Sequence, residues 1–277
     1  MLNFLMSMRR INALARLIIL DGLRRHALIG LILFALAGTT GGLLFFDFIP
    51  RDIGRAANDF LFSITWLTGF IFLLFHGVQV MAWDNERGAL HTFLARPISR
   101  TEYALALYAG LAVLLLALNI ILGTLGWCVL SIIKGSVKVS YFQNLSFAFF
   151  LLAGTGLYWI QLMVLAVILL FSSMVRGSFP VLLLTLCYYF ICSGLPVVRE
   201  SLKQKIATAS SQSLDTLLKW LTATFPDFSW MDFKTLAASS DPVPVASQLA
   251  LPFALATLYI VIVLWLACAI YERRDLQ

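Results

Sequence analysis

Long segments made almost entirely of apolar residues limit this chain more than any other feature. Each is about as long as, or longer than, the roughly 20 helical residues that cross the ~30 Å hydrocarbon core of a bilayer. The six segments are approximately residues 27–48, 60–82, 103–133, 145–175, 179–198 and 248–270. We therefore predict an all-α integral membrane protein with six transmembrane helices. The third and fourth segments are longer than a span needs, so we expect them to tilt or to project beyond the bilayer.

The composition supports this class and excludes others. Hydrophobic residues make up 61% of the 277 positions, charged residues only 12%, and the mean hydropathy is +0.91. A soluble domain has about 25% charged residues, so this chain has too few to cover a surface in water. We expect one membrane domain over residues 1–277, with no separate soluble enzyme domain. The net charge of +6 is dispersed at helix ends, which predicts a topological role for it and no nucleic-acid partner.

The position of the basic residues predicts that both termini lie in the cytoplasm. Inner and outer loops hold similar numbers of Lys and Arg, but every inner cluster directly adjoins a span, where the positive-inside rule acts most strongly. Five arginines within the first 25 residues, and the lack of a cleavage site, argue against a cleavable signal peptide. We expect residues 1–26 to form a helix in the cytoplasmic interface. The four cysteines lie in apolar stretches and are interpreted as small buried hydrophobic residues.

The polar outer segment, residues 199–247, is longer than an ordinary connection. It contains an aromatic and acidic run, residues 225–233, with Pro226 inside it. Aromatic side chains favour the membrane interface, so this run predicts a turn at the outer surface.

Polar residues within the predicted spans are few. The four candidates for lining a path through the membrane are His76, Gln79, Asn119 and Gln161. The alternative, which we favour, is that they form hydrogen bonds between helices. The sequence contains no cluster of His, Cys or carboxylates at metal-binding spacing and no phosphate-binding glycine loop. We therefore expect no catalytic residue, no metal and no cofactor in this chain, and an energy source outside it.

The segment between the second and third spans, residues 84–100, is more organised than a plain connector. Its apolar residues at helical spacing are Leu90, Phe93 and Leu94. Pro97 would end such a helix, and Ser99 and Thr101 ahead of Glu102 are capping signals for the helix that follows. This pattern predicts a short amphipathic cytoplasmic helix whose apolar ridge docks on another protein. A helix resting on lipid headgroups is the alternative.

Several short motifs resemble those of a known family and occur in the same order. They are Glu86-Arg87-Gly88-Ala89-Leu90, Leu94-Ala95-Arg96-Pro97-Ile98-Ser99-Arg100, Glu102-Tyr103 at the start of a span, and Phe225-Pro226-Asp227-Phe228-Ser229 before the last span. Together with the six-span plan, they resemble the permease subunits of ABC-2 type transporters, which have a type V ABC exporter fold. Arg16 to Arg25 is similar to the interfacial helix that precedes the first span in that family.

The resemblance implies a division of labour. Two permeases, either two copies or a copy and a paralogue, would pair in a bacterial cytoplasmic membrane, and separate ABC ATPase subunits would bind their cytoplasmic faces. ATP and Mg²⁺ would bind to those ATPases. Residues 84–100 would be the coupling helix, with its contacts made by Glu86, Arg87, Leu90, Phe93, Leu94, Arg96, Pro97 and Arg100. The turn at residues 176–180 is either a second contact with the ATPase or a tight loop.

Three functions remain open at this stage. The first is the membrane subunit of an ATP-driven exporter for a hydrophobic or amphiphilic substrate. The second keeps the ATPase but transmits its motion, without transport, to a periplasmic or extracellular protein through residues 199–247. The third, a secondary transporter or intramembrane enzyme, is disfavoured because ionisable residues are missing from mid-span positions.

Overall fold

The computed structural model describes residues 2–24, 27–46, 53–86, 99–136, 146–203, 216, 218, 220–222, 224–234 and 246–273. Within these ranges the chain is almost entirely helical and contains no strand, which confirms the predicted all-α class. The helices are α1 (Leu2–Arg24), α2 (Ala27–Phe46), α3 (Ile53–Ile71), α4 (Val78–Glu86), α5 (Arg100–Ser136), α6 (Phe147–Met174), α7 (Ser178–Lys203) and α8 (Ala246–Arg273). A π-helical turn (Phe72–Gly77) joins α3 to α4, and a 3-10 turn covers Phe228–Met231.

Five helical stretches are long and apolar enough to cross a membrane. They are Gly54–Ala82, Arg100–Gly135, Phe147–Met174, Ser178–Glu200 and Leu249–Arg273. They coincide with five of the six predicted spans. The sixth, predicted at residues 27–48, corresponds to α2, whose apolar stretch within the described part is Leu28–Gly42, and it stays a prediction. Helix α5 has 37 residues and is therefore roughly 55 Å long, well beyond the thickness of the hydrocarbon core.

Helix α6 lies at the centre of the bundle. Every residue from position 160 to position 169 is buried, whichever side of the helix it faces. Helices α3, α4, α5, α7 and α8 all contact it. A helix that is apolar on all sides can be covered completely in this way, and α6 has that composition. Helices α7 and α8, by contrast, leave many large apolar side chains exposed, as expected for surfaces that face lipid.

The N-terminal helix is confirmed, but it does not stand apart from the bundle. Helix α1 packs lengthwise on the N-terminal part of α5, and this is the most extensive helix–helix contact in the described part of the chain. The contact is close, because a Cβ atom on Gly110 of α5 would lie 3.0 Å from Ile18 of α1. Arg9 and Arg16 point away from this contact and are exposed. The predicted location of α1 in the cytoplasmic interface stays a prediction.

The beginning of α5 is fixed by the capping box that the sequence predicts. The Ser99 hydroxyl accepts a hydrogen bond from the Glu102 backbone N–H at 3.1 Å, and the Glu102 carboxylate accepts one from the Ser99 N–H at 3.1 Å. Arg10 of α1 lies 4.0 Å from the same carboxylate. These contacts hold α1 at the point where the chain enters α5.

The π-helical turn lies inside one long helical stretch, between α3 and α4. The backbone N–H of Val78 donates to the carbonyl of Leu73, five residues back, so one extra residue is accommodated. Its residues are buried apart from Phe75, and they include His76. Such turns are frequent at functional sites.

Gly156 provides a test of how closely α6 approaches the 3-10 turn. A Cβ atom at this position would collide with the carbonyl oxygen of Met231 and lie 2.8 Å from the ring of Phe233. We expect Gly156→Ala to lower the free energy of unfolding by roughly 1–3 kcal/mol. Gly154→Ala, two residues away, is the control, since nothing lies within 4 Å of its Cβ position. Thermal unfolding in detergent measures both; equal effects would contradict the close approach.

Candidate functional site

The first candidate site is a cleft of about 350 Å³ at one end of the bundle. Helices α3, α6 and α7 form its sides, and residues 225–234, here named the cap, close it. The lining residues are Phe62, Ser63, Trp66, Ala153, Leu157, Ile160, Tyr189, Cys192, Ser193, Pro196, Phe228, Ser229, Met231, Asp232 and Lys234. The cleft is apolar in its depth, while its charged residues belong to the cap.

Aromatic side chains connect the two helices that face each other across the cleft. The indole N–H of Trp66 on α3 donates to the hydroxyl of Tyr189 on α7 at 3.1 Å. Phe70 packs against the same tyrosine, with ring centroids 4.3 Å apart. Because the indole donor and the phenol oxygen satisfy each other, this wall presents mainly ring surface to the cleft.

The hydroxyl of Ser63 is also satisfied, since it donates to the Asp59 carbonyl at 2.7 Å. At the rim, Asp232 and Lys234 form an exposed ion pair at 3.1 Å. A site with an apolar interior and a charged rim suits binding of an amphiphilic molecule better than acid–base chemistry. No group of three or more His, Cys, Asp or Glu side chains that could hold a metal occurs within the described ranges.

An ion pair between a buried carboxylate and a half-buried arginine holds the cap in place. Asp227 is only 7% exposed, and one of its carboxylate oxygens accepts a hydrogen bond from Arg199 of α7 at 3.0 Å. The other oxygen accepts from the backbone N–H and the hydroxyl of Ser229, at 2.9 and 2.7 Å. Arg199 also donates to the Thr222 carbonyl at 2.8 Å, and its guanidinium lies 4.9 Å from the ring centroid of Trp230. Each charge is thereby paired and hydrogen-bonded, which burial requires.

The cap also contacts three further helices. Asn58 of α3 donates to the Lys234 carbonyl at 3.0 Å. The ring of Phe233 stacks on Phe253 of α8 at 5.7 Å, and the Met231 carbonyl lies against Gly156 of α6. The cap is therefore joined to α3, α6, α7 and α8, and it closes this end of the bundle.

The aromatic residues of this run do not all behave as the sequence predicts. Phe228 and Phe233 are on the buried side of the cap, where they contact other side chains and not the membrane surface. Trp230 is 49% exposed and remains suited to an interface. The turn itself is present, but its two buried phenylalanines serve to pack it against the bundle.

The four polar residues proposed to line a path form two separate pairs. Asn119 on α5 donates to the Gln161 side-chain oxygen on α6 at 2.6 Å and to the Leu115 carbonyl at 2.8 Å. Gln161 is completely buried, with its amide against Gly69 of α3. This geometry favours the alternative interpretation, in which such residues join helices.

The second pair lies in a different cavity, of about 250 Å³, between α2 and the π-helical turn. His76 is buried there and Gln79 is exposed. The edge of the His76 ring also faces α1, because a Cβ atom on Gly22 would lie 3.4 Å from its Nε2. These two residues and the Asn119–Gln161 pair therefore do not form one continuous strip.

The predicted coupling residues fall largely outside the described ranges. Arg87, Leu90, Phe93, Leu94, Arg96 and Pro97 lie there, whereas Glu86 ends α4 and Arg100 begins α5. The two flanking positions lie at the end of the bundle opposite the cap. The turn between α6 and α7 lies at the same end, with Gly177 at a positive φ of 106° and Phe179 68% exposed.

Sequence reasoning missed the contacts that build the cap. Arg199 and Asp227 are 28 residues apart, and Asn58 lies 176 residues from the carbonyl it binds, so no local pattern connects them. The signal that could have been used is the combination of an arginine at the end of an apolar span with an aspartate in an aromatic turn.

Composition and fold together define a helical, multi-pass membrane protein. Beyond that class, no protein-family model matches the sequence, and no curated protein is significantly similar to it.

The ion pair of the cap predicts a large difference between two aspartates. Asp227→Ala leaves the partly buried Arg199 without its partner and should cost about 3 kcal/mol of stability. Asp232→Ala removes an exposed pair and should cost less than about 1 kcal/mol. Thermal unfolding and limited proteolysis at the cap, compared for the two purified variants, measure the difference. Similar stability in both variants would contradict the anchoring role of Asp227.

Proposed function

We propose that this chain is the permease subunit of an ABC transporter of the bacterial cytoplasmic membrane. It pairs with a second permease, a copy of itself or a paralogue, and exports a hydrophobic or amphiphilic substrate. Separate ATPase subunits, which bind ATP and Mg²⁺, supply the energy through residues 84–100. The observation that carries this proposal is the ordered motif series from Glu86 to Tyr103, which resembles the ABC-2 type permeases.

The end of the bundle opposite the cap is suited to receive force from a partner. The capping box and Arg10 fix the start of α5 immediately after the predicted coupling segment. Helix α4, just before that segment, contacts the central helix α6 and also α7. A movement applied to the segment between the end of α4 and the start of α5 would therefore be passed directly to the core of the bundle.

The chemistry of the described residues supports a partner as the source of energy. The two mid-span amide side chains, the buried Gln161 and the half-buried Asn119, are neutral and cannot carry a proton. Coupled ion or proton transport normally uses ionisable groups at mid-membrane depth. His76 is the only His, Asp, Glu, Lys or Arg side chain that is buried within the described spans.

The cleft under the cap supports a hydrophobic or amphiphilic substrate. Its interior is mainly ring and aliphatic surface between α3, α6 and α7, and its rim carries Asp232 and Lys234. An apolar chain would fit the interior, while a polar headgroup would find the rim. A highly charged solute would lose its hydration without gaining a partner in the interior.

A specific observation favours a second candidate, mechanical transmission without transport. The cap is tied by Arg199 to the end of α7 and by Phe233 to α8, so helix movements would be passed to residues 199–247. In that case the cap acts on a periplasmic or extracellular protein.

The coupling assignment predicts the behaviour of one double variant. Phe93→Asp with Leu94→Asp places two charges on the apolar ridge and should abolish co-purification with the ATPase, because burying an unpaired charge is costly. The conservative pair Phe93→Leu with Leu94→Met should retain the complex. Affinity purification from membranes followed by ATPase assay measures both. Retained ATPase binding in the Asp variant would overturn the coupling-helix assignment.

Filling the cleft distinguishes transport from mechanical transmission. Ser193 is exposed and lines the cleft, so Ser193→Trp should lower ATP-dependent movement of a lipid-like probe into vesicles by about tenfold while hydrolysis continues. Ser131→Trp, an exposed serine on α5 outside the cleft, is the control and should transport normally. Normal hydrolysis with no movement of any probe, even by the unaltered complex, would favour the mechanical function.

A further inference from the structure

A larger cavity, of about 590 Å³, is an open groove in the side of the bundle between α3, α5 and α6. It is separate from the cleft under the cap, with only Phe62 common to both. The lining residues are Leu61, Phe62, Thr65, Leu116, Asn119, Ile120, Leu122, Gly123, Thr124, Gly126, Trp127, Cys128, Phe147, Phe150, Leu151, Gly154, Thr155, Tyr158 and Trp159. None of these lining residues carries a formal charge.

The groove offers a ligand few hydrogen-bond donors, because most of its polar side chains already donate to other groups of the protein. The threonine hydroxyls donate to carbonyls of their own helices, the Tyr158 hydroxyl donates across to Ala112 at 3.0 Å, and the Trp159 indole donates to Thr257 at 3.2 Å. The threonine donors are Thr65, Thr124 and Thr155. Asn119 is engaged with Gln161 and Leu115. A polar ligand would gain little here, whereas a hydrocarbon chain would lose nothing.

The length of the groove matches one leaflet of a bilayer. Along α5 it extends from Leu116 to Cys128, and twelve residues of helix rise roughly 18 Å. Half of the hydrocarbon core is about 15 Å. One end lies near Trp127, whose ring packs against Phe147 at 5.1 Å, in the half of the bundle that holds the cap. Tryptophan favours the membrane interface, so this end corresponds to headgroup depth and Asn119 lies toward the bilayer centre.

The shape of the groove favours a flexible chain over a second protein helix. A Cβ atom on Gly123 or on Gly154 would meet nothing within 4 Å, so both glycines border empty space. Large side chains line the same groove and project outward, with Ile120 57% and Leu151 59% exposed. Glycines join helices when the backbones can approach each other closely. A helix about 10–12 Å wide would meet these projecting side chains first.

We propose that this groove binds one acyl chain of a bilayer lipid from the leaflet on the cap side. The chain lies between α5 and α6 over Gly123 and Gly154, with its end near Asn119 and Tyr158. The binding site is independent of the transport or mechanical function, and it requires only that the bundle lies in a membrane.

Photolabelling in vesicles tests this site. The vesicles contain phosphatidylethanolamine, phosphatidylglycerol and a small fraction of phosphatidylcholine with a diazirine near the end of one acyl chain. Labelling of residues 116–128 and 147–159 is measured by mass spectrometry relative to the exposed lipid-facing side of α8 near Leu258. We expect about fivefold enrichment in the groove, equivalent to about 1 kcal/mol of preferential binding.

The variants Gly123→Leu and Gly154→Leu add an aliphatic side chain where a Cβ atom would meet nothing within 4 Å, and they should reduce labelling to the level of α8. Gly135→Leu, also on α5 with nothing near its Cβ position, is the control and should keep the enrichment. Should a leucine variant fail to fold, Gly123→Ala and Gly154→Ala should each give a partial loss of groove labelling.

Equal labelling of the groove and of α8 in the unaltered protein overturns the site. Cross-linking of the groove residues to a second copy of the chain, instead of to lipid, also overturns it.

Discussion

The burial of α6 on all of its sides is the constraint on which the rest of the structure depends. Ten consecutive positions, residues 160–169, are buried, so neighbouring helices must surround this part of α6. In a bilayer this packing gains little from the hydrophobic effect, because lipid is as apolar as leucine, and specific contacts must supply the difference. Gln161 provides such contacts, since it binds Asn119 of α5 and lies against Gly69 of α3. Tyr108 and Tyr158 add hydrogen bonds between α5 and α6.

A central helix that is fixed in this way extends between the two ends of the bundle. At one end the cap is held by Arg199 and Asp227 and closes a mostly apolar cleft. At the other end the capping box of α5, the end of α4 and the turn at Gly177 flank the segment proposed to meet the ATPase. Since α6 contacts both α4 and the 3-10 turn of the cap, a single helix connects the two ends. The charged groups of these contacts are thus at the two ends, whereas the buried polar groups of the described spans are amides, hydroxyls and the imidazole of His76.

The sequence was sufficient for features that depend on local pattern. The apolar runs predict the helices within a few residues, because length and hydropathy alone determine whether a helix can span a bilayer. The capping box at Ser99 and Glu102 was predicted because its two partners are three residues apart. Arg199 with Asp227, and Asn58 with the Lys234 carbonyl, could not be predicted, because only the folded bundle brings such distant residues together. The groove at Gly123 and Gly154 could not be predicted for the same reason. A glycine in a helix is compatible with close packing and with empty space, and the sequence alone does not distinguish the two cases.

The central functional claim is that this chain works as half of a machine driven by a separate ATPase. Mass measurement of the unaltered complex, purified from its native membrane in mild detergent, tests this claim most directly. The predicted result is a particle with two permease chains and two ATPase subunits that hydrolyses ATP. A chain that purifies without an ATPase and moves its substrate in response to an ion gradient alone would contradict it.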